Sequence, residues 1–115
     1  MLANLTAALD FQGKALVVRA DRQRVIASNI ANADTPGYRT KDIDFQHEFL
    51  TLTHGAAPNV REVEGLPAGN DGNNVNIDQQ ARLLAENAIR FQFASMSIKG
   101  EFKDIKLALQ EGRNG

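Results

Sequence analysis

A seven-residue repeat of large apolar residues in the C-terminal third most restricts how this chain can fold. The repeat runs without a miss through Ile77, Leu84, Phe91, Ile98 and Ile105. Four residues after each lies a second line, which is small at first and large at its end: Ala81, Ala88, Ser95, Phe102 and Leu109. Heptad spacing sustained over this length predicts a long α-helix with one packing seam. Asn76 followed by Gln79 resembles a capping box and predicts where this helix starts.

The N-terminal segment carries a second heptad pattern. Its two lines are Leu2, Leu9, Leu16, Gln23 and Ile30, and Leu5, Gln12, Arg19, Ile26 and Ala33. The pattern is apolar at both ends and polar in the middle, and no proline interrupts it. It predicts a second long helix, which ends before Pro36 because a proline disfavours helical conformation in the residue preceding it.

The segment between the two helices has the composition of a loop. It is rich in Gly, Pro, Asn and Asp, and only residues 59–63 are typical of a short strand. We therefore predict a mainly α fold, in which two long terminal helices pair as an antiparallel coiled coil with a long irregular connecting loop. The expected segments are an N-terminal helix over residues 1–33, a turn and irregular loop over 34–75, and a C-terminal coiled-coil helix over 76–112.

Composition excludes several classes of protein. The chain has 115 residues, no Cys and a formal net charge of −1. Disulfides, Cys-ligated zinc and thiol nucleophiles are therefore excluded, and the basic excess of a nucleic-acid binder is missing. The longest strongly apolar run, residues 15–18, is too short to span a membrane, and we expect no cleaved signal peptide. We expect a protein without enzymatic activity, metal or cofactor, which neither binds nucleic acid nor inserts into a membrane.

Two helices that pair only with each other leave most of their sides in water. A chain this small is then marginally stable alone, so its helices are expected to complete their packing in an assembly. Residues 11–41 and 79–115 are net basic, whereas residues 42–78 are strongly acidic. This layout suits packing against copies with complementary faces, although mixed charge that merely solvates the helices and loops explains it as well.

Residues 28–39 form the most distinctive stretch, a helix end followed by a turn and an aromatic residue. Asn29 and Asn32 lie on one side of the last helical turn, where their amides can bind carbonyls of the helix end or of a neighbouring chain. Pro36 and Gly37 favour a type II turn, after which Tyr38 can fold back onto the helix. A well-made helix stop with no further role explains the same residues.

This stretch resembles the N-terminal signature of the bacterial flagellar axial proteins, which form rod, hook and hook–filament junction. The resemblance rests on residues 29–32 (Asn-Ile-Ala-Asn) and 34–38 (Asp-Thr-Pro-Gly-Tyr). Residues 42–45, 71–78 and 85–92 are similar to proximal-rod members of that family. In all, the resemblance covers residues 9–45 and 71–110. One departure is Asn76, where the family more often has Asp, and either residue can cap a helix.

The resemblance implies a structural subunit of the proximal rod of the flagellar basal body, in the periplasmic space. It implies that the terminal helices form the inner tube of a driveshaft between the membrane ring and the distal rod and hook. Export is expected through the flagellar type III apparatus without cleavage, and a marginally stable chain suits passage in unfolded form. The expected partners are copies of the chain, other proximal-rod proteins, a membrane-ring/rod adaptor protein and the export apparatus.

On this interpretation two sets of residues serve assembly. The assembly motif is expected to hold the turn and touch the next subunit, and comprises Asn29, Asn32, Thr35, Pro36, Gly37 and Tyr38. The helix-packing seam comprises Leu5, Leu9, Leu16, Ile26 and Ile30 of the first helix, with Ile77, Leu84, Phe91, Ile98, Phe102, Ile105 and Leu109 of the second.

The sequence leaves two other functions open. An enzyme could use a metal held by Asp42, Asp44, His47 and His54, but a solvated acidic segment is favoured because no further base lies nearby. Residues 71–82 do not match a calcium-binding loop, whose Gly and Glu positions are missing. The remaining alternative is a small helical-hairpin adaptor or export chaperone that binds a partner helix, which heptads alone do not exclude.

Overall fold

Two long helices lie side by side in an elongated molecule. The computed structural model describes residues 2–51 and 59–114 and measures 71 × 26 × 16 Å. In chain order its elements are α1 (Leu2–Ala31), β1 (Lys41–Ile43), α2 (Phe45–Thr51), β2 (Val60–Glu62) and α3 (Ile77–Asn114). The predicted mainly α fold with two long terminal helices is confirmed. Of the helices described, none combines the length and the apolar character that crossing a membrane requires.

Helices α1 and α3 run antiparallel, as the two heptad patterns predicted. Side-chain hydrogen bonds join them at three levels, between Gln12 and Glu101, Gln23 and Asn87, and Asn29 and Gln80. Residue numbers rise along α1 while they fall along α3, which fixes the relative direction. All three contacts are polar, so amide pairing as well as apolar packing sets the register of the helix pair.

The face that α3 turns towards α1 differs in part from the predicted seam. Leu84, Ile98 and Ile105 are half-buried as expected. The line that accompanies them consists of Gln80, Asn87, Ala94 and Glu101, and each of these residues lies four positions before the next residue of the apolar line. The seam members Ile77, Phe102 and Leu109 are instead 53%, 57% and 65% exposed. The physical reason is that Gln12 and Gln23, in the polar middle of α1, are hydrogen-bonded to Glu101 and Asn87 of α3. These bonds turn the polar line towards α1, so Phe102 and Leu109 lie at the side of the helix pair.

The connecting segment contains more regular structure than its composition indicated. Strands β1 and β2 pair antiparallel, with Lys41 opposite Glu62 and Ile43 opposite Val60. The predicted strand at 59–63 is present as β2, whereas β1 and α2 were not predicted. A three-residue strand is too short for an alternating pattern, so its sequence carries little signal. The remaining loop residues, 52–58, lie outside the described part of the chain.

The interior is small and largely polar, and it lies where α1 meets the β-hairpin and the start of α3. Among the described residues, the buried hydrophobic side chains are Val18, Ile26 and Ile43. The buried polar and charged residues are more numerous: Asn29, Thr40, Glu48, Asn73, Asn74, Gln80 and Asn87. Buried polar groups stabilise a fold only when they are hydrogen-bonded, so this interior depends on its bonding network.

We predict that Ile26→Ala lowers the free energy of unfolding by about 2–4 kcal/mol, because it leaves a cavity at a fully buried site. Ile26 is 0% exposed, whereas Val17 on the same helix is 59% exposed. Val17→Ala, the control, is expected to change stability by less than about 0.5 kcal/mol. Urea unfolding followed by far-UV circular dichroism measures both. Equal effects of the two substitutions would show that the interior does not lie at Ile26.

Candidate assembly motif and helix seam

The side-chain amide of Asn29 is the centre of the assembly motif. Its Nδ2 donates to the Lys41 carbonyl at 2.7 Å and to Gln80 Oε1 at 2.9 Å. Its Oδ1 accepts from the Lys41 N–H and from the Tyr38 hydroxyl, both at 3.1 Å. An Asn amide has two donors and two acceptor sites, and all four are used here. One fully buried side chain therefore joins α1, β1 and α3.

The other motif residues build the turn that leaves α1. Asn32 Nδ2 donates back to the Ser28 carbonyl at 2.8 Å, and Asn32 Oδ1 accepts from the Thr35 hydroxyl at 3.0 Å. The Tyr38 N–H closes the turn onto the Thr35 carbonyl at 3.2 Å. Pro36 occupies the first central position of this turn and Gly37 the second, with a φ of 74°. A positive φ there is the mark of a type II turn, as the Pro-Gly pair predicted.

A second Asx-rich turn, residues 69–74, packs directly on the first. The Gly37 N–H donates to the Asp71 carbonyl at 2.8 Å. Gly72 has a φ of 81°, and a Cβ built on it lies 3.5 Å from the Gly37 Cα. The two turns therefore meet at two glycines, and both glycines adopt the positive φ that other residues rarely take.

Two buried asparagines fasten these turns together. Asn73 Nδ2 donates to the carbonyls of Asn32 and Thr35 at 2.9 and 2.8 Å, and each of these oxygens also accepts a backbone N–H within the turn. Asn74 Oδ1 accepts from the Thr40 N–H at 2.6 Å, and the Thr40 hydroxyl donates to the Asn74 carbonyl at 3.1 Å. The segment before α3 is thus held to the end of α1 from both sides.

Further along the helix pair, Asn87 forms a polar layer inside the seam. Its Nδ2 donates to the Arg19 carbonyl and to Gln23 Oε1, both at 2.9 Å. Asn87 is 1% exposed, and its Oδ1 has no hydrogen-bond partner among the described residues. A buried amide pairs favourably only in one register, so this layer fixes how α3 is positioned along α1.

Arg19 connects this layer to α2. Its guanidinium lies 4.0 Å from the centroid of the Phe45 ring, within the range of a cation–π contact. Burial, with the nearby Arg90 and Arg22, lowers the pKa of Arg19 from its ordinary value.

The acidic residues of the candidate metal cluster serve structural contacts instead. Asp42 receives two hydrogen bonds from Arg22, at 3.0 and 3.1 Å. Asp44 accepts from the His47 N–H at 3.2 Å and pairs with Arg61 at 3.1 Å. His54 lies outside the described residues, and within them no group of three His, Asp or Glu could hold a metal ion.

Asp44 also makes the start of α2 sensitive to acid. The hydrogen bond from the His47 N–H is the largest cause that lowers the pKa of Asp44, followed among the lowering causes by Arg61. Because the pKa is lower in the folded state, this contribution is present at neutral pH. It is lost as the pH falls through that lowered pKa.

The sequence analysis did not name every residue that the structure brings together here. It identified the turn residues and the apolar line of α3, but it missed Thr40, Asn73, Asn74, Gln80 and Asn87. A signal existed for two of them, since Gln80 and Asn87 are seven residues apart, and Asn87 pairs with Gln23 in the polar middle of α1 while Gln80 pairs with Asn29. Pairing polar layers between the two heptad patterns finds this contact.

We predict that Asn29→Asp destabilises the fold by roughly 2 kcal/mol or more, because a buried carboxylate then faces the Lys41 carbonyl and Gln80 Oε1 without donors. Asn76→Asp is the matched control. Asn76 is exposed, and its Oδ1 only accepts the Gln79 N–H at 3.0 Å, which a carboxylate does equally well. Urea unfolding compares the two variants. A stable Asn29→Asp protein contradicts the central role of this amide.

We predict that Gly72→Ala lowers stability by about 1–2 kcal/mol, since alanine is strained at the positive φ of this position. Gly13→Ala is the control, because Gly13 lies inside α1 and a Cβ there has no neighbour within 4 Å. It is expected to raise helix stability by up to about 1 kcal/mol. Opposite signs in thermal unfolding support the left-handed backbone conformation of Gly72, and a neutral Gly72→Ala argues against it.

Comparison with known proteins agrees with this architecture. A sequence model of the family described as "Flagella basal body rod protein" matches residues 9–39, which contain most of α1 and the signature turn. The chain is 35% identical to flagellar basal body rod protein FlgB of Escherichia coli, over 97% of this chain and 99% of that protein. It is 34% identical to the FlgB protein of Salmonella typhimurium, with the same coverage. The FlgB protein of Yersinia enterocolitica is 31% identical, over 97% of this chain and 100% of that protein. The chain therefore belongs to the FlgB family of flagellar basal body rod proteins.

Proposed function

We propose that this protein is a structural subunit of the proximal rod of the bacterial flagellar basal body. It polymerises through α1 and α3 and forms part of the driveshaft that links the membrane ring to the distal rod and hook. The observation that carries this proposal is the similarity to FlgB proteins over 97% of the chain, the signature turn included. An adaptor or export chaperone is not favoured, since the similarity to rod proteins covers both helices and the turn between them.

The site itself supports a structural role. The polar groups of the assembly motif are occupied in holding α1, the β-hairpin and α3 together, and its central residue, Asn29, is fully buried. Pro36 and Gly37, by contrast, are exposed at the tip of the turn. The motif thus has a buried half that holds the turn and an exposed half that is available to the next subunit.

The distribution of apolar side chains supports polymerisation. Few apolar residues are buried, whereas large ones on α3 are exposed, among them Phe93 at 76% and Leu109 at 65%. A neighbour that covers them gains stability the lone chain lacks. Its partners in the rod are copies of itself, other proximal-rod proteins and the membrane-ring/rod adaptor. A chain with so small an apolar interior also suits export, without cleavage of a signal peptide, through the flagellar type III apparatus in unfolded form.

We predict that Phe91→Asp abolishes motility without preventing synthesis. Phe91 is 36% exposed and borders a recess of about 240 Å³ with Gln23 and Ala88, so a carboxylate there is placed in the helix seam. The variant is expressed in cells that lack the wild-type protein, and swimming in soft agar is compared with protein level on immunoblots.

The control is Gln92→Asp, which introduces the same charge at the next position of α3, where the side chain is exposed. We expect cells with this control to swim normally. Normal swimming of cells with Phe91→Asp would count against assembly through this seam. Loss of the variant protein from immunoblots would point to degradation rather than to failed assembly.

A further inference from the structure

The β-hairpin has an open edge along β2. All three residues of this strand, Val60–Glu62, are exposed, and its inner side pairs with β1. The outer side of β1 is occupied, because the side chain of Asn29 binds both the N–H and the carbonyl of Lys41. Within residues 2–51 and 59–114, no strand pairs with the outer side of β2. In the described part of the chain, one side of this two-stranded sheet is therefore open.

The register shows which backbone groups of β2 point outwards. The Val63 N–H donates to the Thr40 carbonyl at 2.8 Å, and these two residues continue the antiparallel register of the strands. Hydrogen-bonded and non-hydrogen-bonded pairs alternate along an antiparallel ladder. Arg61, two residues before Val63, therefore also bonds to β1, whereas the N–H and carbonyl groups of Val60 and Glu62 point away from it. The edge thus presents two donors and two acceptors that a further strand can bind.

The free side chains beside this edge are acidic. Glu62 and Glu64 are exposed, and neither forms an ion pair with another described residue. Lys41 is opposite Glu62 on β1, but its ammonium group lies over the ring of Tyr38, 5.4 Å from the centroid. Arg61, the one cation of β2, is already in an ion pair at 3.1 Å. Two unpaired carboxylates therefore lie next to the open backbone groups.

The surface next to β2 has room for a further chain. Two open recesses, of about 390 and 490 Å³, border this strand, and residues 61–64 line both of them. One recess extends to Asp44, and the other extends to Arg39 and Leu66. An incoming segment therefore meets accessible polar surface along β2, where its own side chains find space.

Charge disfavours β2 of a second copy as the strand that fills this edge. Antiparallel pairing of two β2 strands about their last residue places Glu62 opposite Glu62 of the copy. A shift of the register in one direction places Arg61 opposite Arg61, and a shift in the other places Glu62 opposite Glu64. Parallel pairing in register also brings identical charges together. Like charges directly opposite each other destabilise a sheet, so the edge is suited to a strand of different sequence.

We propose that the β2 edge binds an extended basic segment of another protein, which adds a third strand to the hairpin. Strand addition supplies partners for the outward backbone groups of Val60 and Glu62. Lysine or arginine at alternate positions of the segment meets the carboxylates of Glu62 and Glu64. A two-stranded hairpin is marginally stable, so a third strand also stabilises it. The inference concerns the hairpin rather than the helix faces, and it does not depend on the proposed function.

Nuclear magnetic resonance of the full-length, isotope-labelled chain tests the inference. The probe is a short synthetic peptide in which lysine and valine alternate. Two matched peptides are the controls: one has glutamate in place of lysine, and the other keeps lysine but is methylated at alternate backbone nitrogens, which removes the donors of its pairing edge. Shifts of the backbone amide resonances give the affinity for each peptide, and hydrogen exchange of the Val60 and Glu62 N–H groups reports strand pairing.

We expect the lysine peptide at saturation to slow exchange at Val60 and Glu62 by at least about tenfold, because both N–H groups become hydrogen-bonded. We expect it to bind at least about tenfold more tightly than either control peptide. Equal affinity for either control would overturn the inference, since binding then lacks its backbone or its charge component. Unchanged exchange at both residues would also overturn it. So would slow exchange of both in the free chain, because the edge is then already covered.

Two variants at one position separate the backbone and charge contributions. The Glu62 N–H points away from β1, so Glu62→Pro removes an outward donor without removing a hydrogen bond of the hairpin. We expect Glu62→Pro to weaken binding of the lysine peptide at least about tenfold, and Glu62→Gln, which keeps the donor, to weaken it about twofold to fivefold. Glu111→Gln, exposed near the end of α3, is the control and is expected to bind like the wild type. Wild-type affinity of either Glu62 variant would overturn the inference and leave the proposed function intact.

Discussion

The amide of Asn29 holds the architecture together. It is fully buried, and its four hydrogen bonds reach the strand that follows the turn, the tyrosine of the turn and the first helical turns of α3. Because few apolar side chains are buried in the described part of the chain, the turn, the strand and the start of α3 are positioned chiefly by hydrogen bonds. Hydrogen bonds specify geometry more sharply than apolar contacts, which tolerate sliding. The turn and the start of α3 therefore have one arrangement, although the interior is small.

The small number of buried apolar side chains is also consistent with a subunit that is stabilised by assembly into a polymer. Polar layers at Gln12, Asn29 and Asn87 set the register of the helix pair, but a net hydrogen bond contributes only about 1 kcal/mol to stability. Several large apolar side chains of α3 are exposed, among them Phe93 at 76% and Leu109 at 65%. We expect a chain built in this way to be weakly stable alone and to gain stability when neighbours cover those side chains.

The sequence predicted the elements that are determined by residues close together in the chain. Helices α1 and α3 follow from heptad spacing, and the positive φ of Gly37 follows from the Pro-Gly pair. It did not predict the partners of Asn29, because one of them is the backbone of Lys41, which carries no side-chain signal, and another, Gln80, is 51 residues away. The exposure of Phe102 and Leu109 was missed for a related reason. Heptad spacing pointed to the apolar flank of Ile98, whereas the flank that faces α1 is the mostly polar line of Gln80, Asn87, Ala94 and Glu101, three members of which bond to side chains of α1.

The central claim is that this chain is a structural part of the flagellar rod. Quantitative mass spectrometry of detergent-extracted basal bodies, from which hook and filament have been removed, tests it most directly. The account predicts that the protein is retained in a small, fixed number of copies per basal body. Absence from these basal bodies, with the protein recovered instead in the soluble fraction of the same cells, would contradict it.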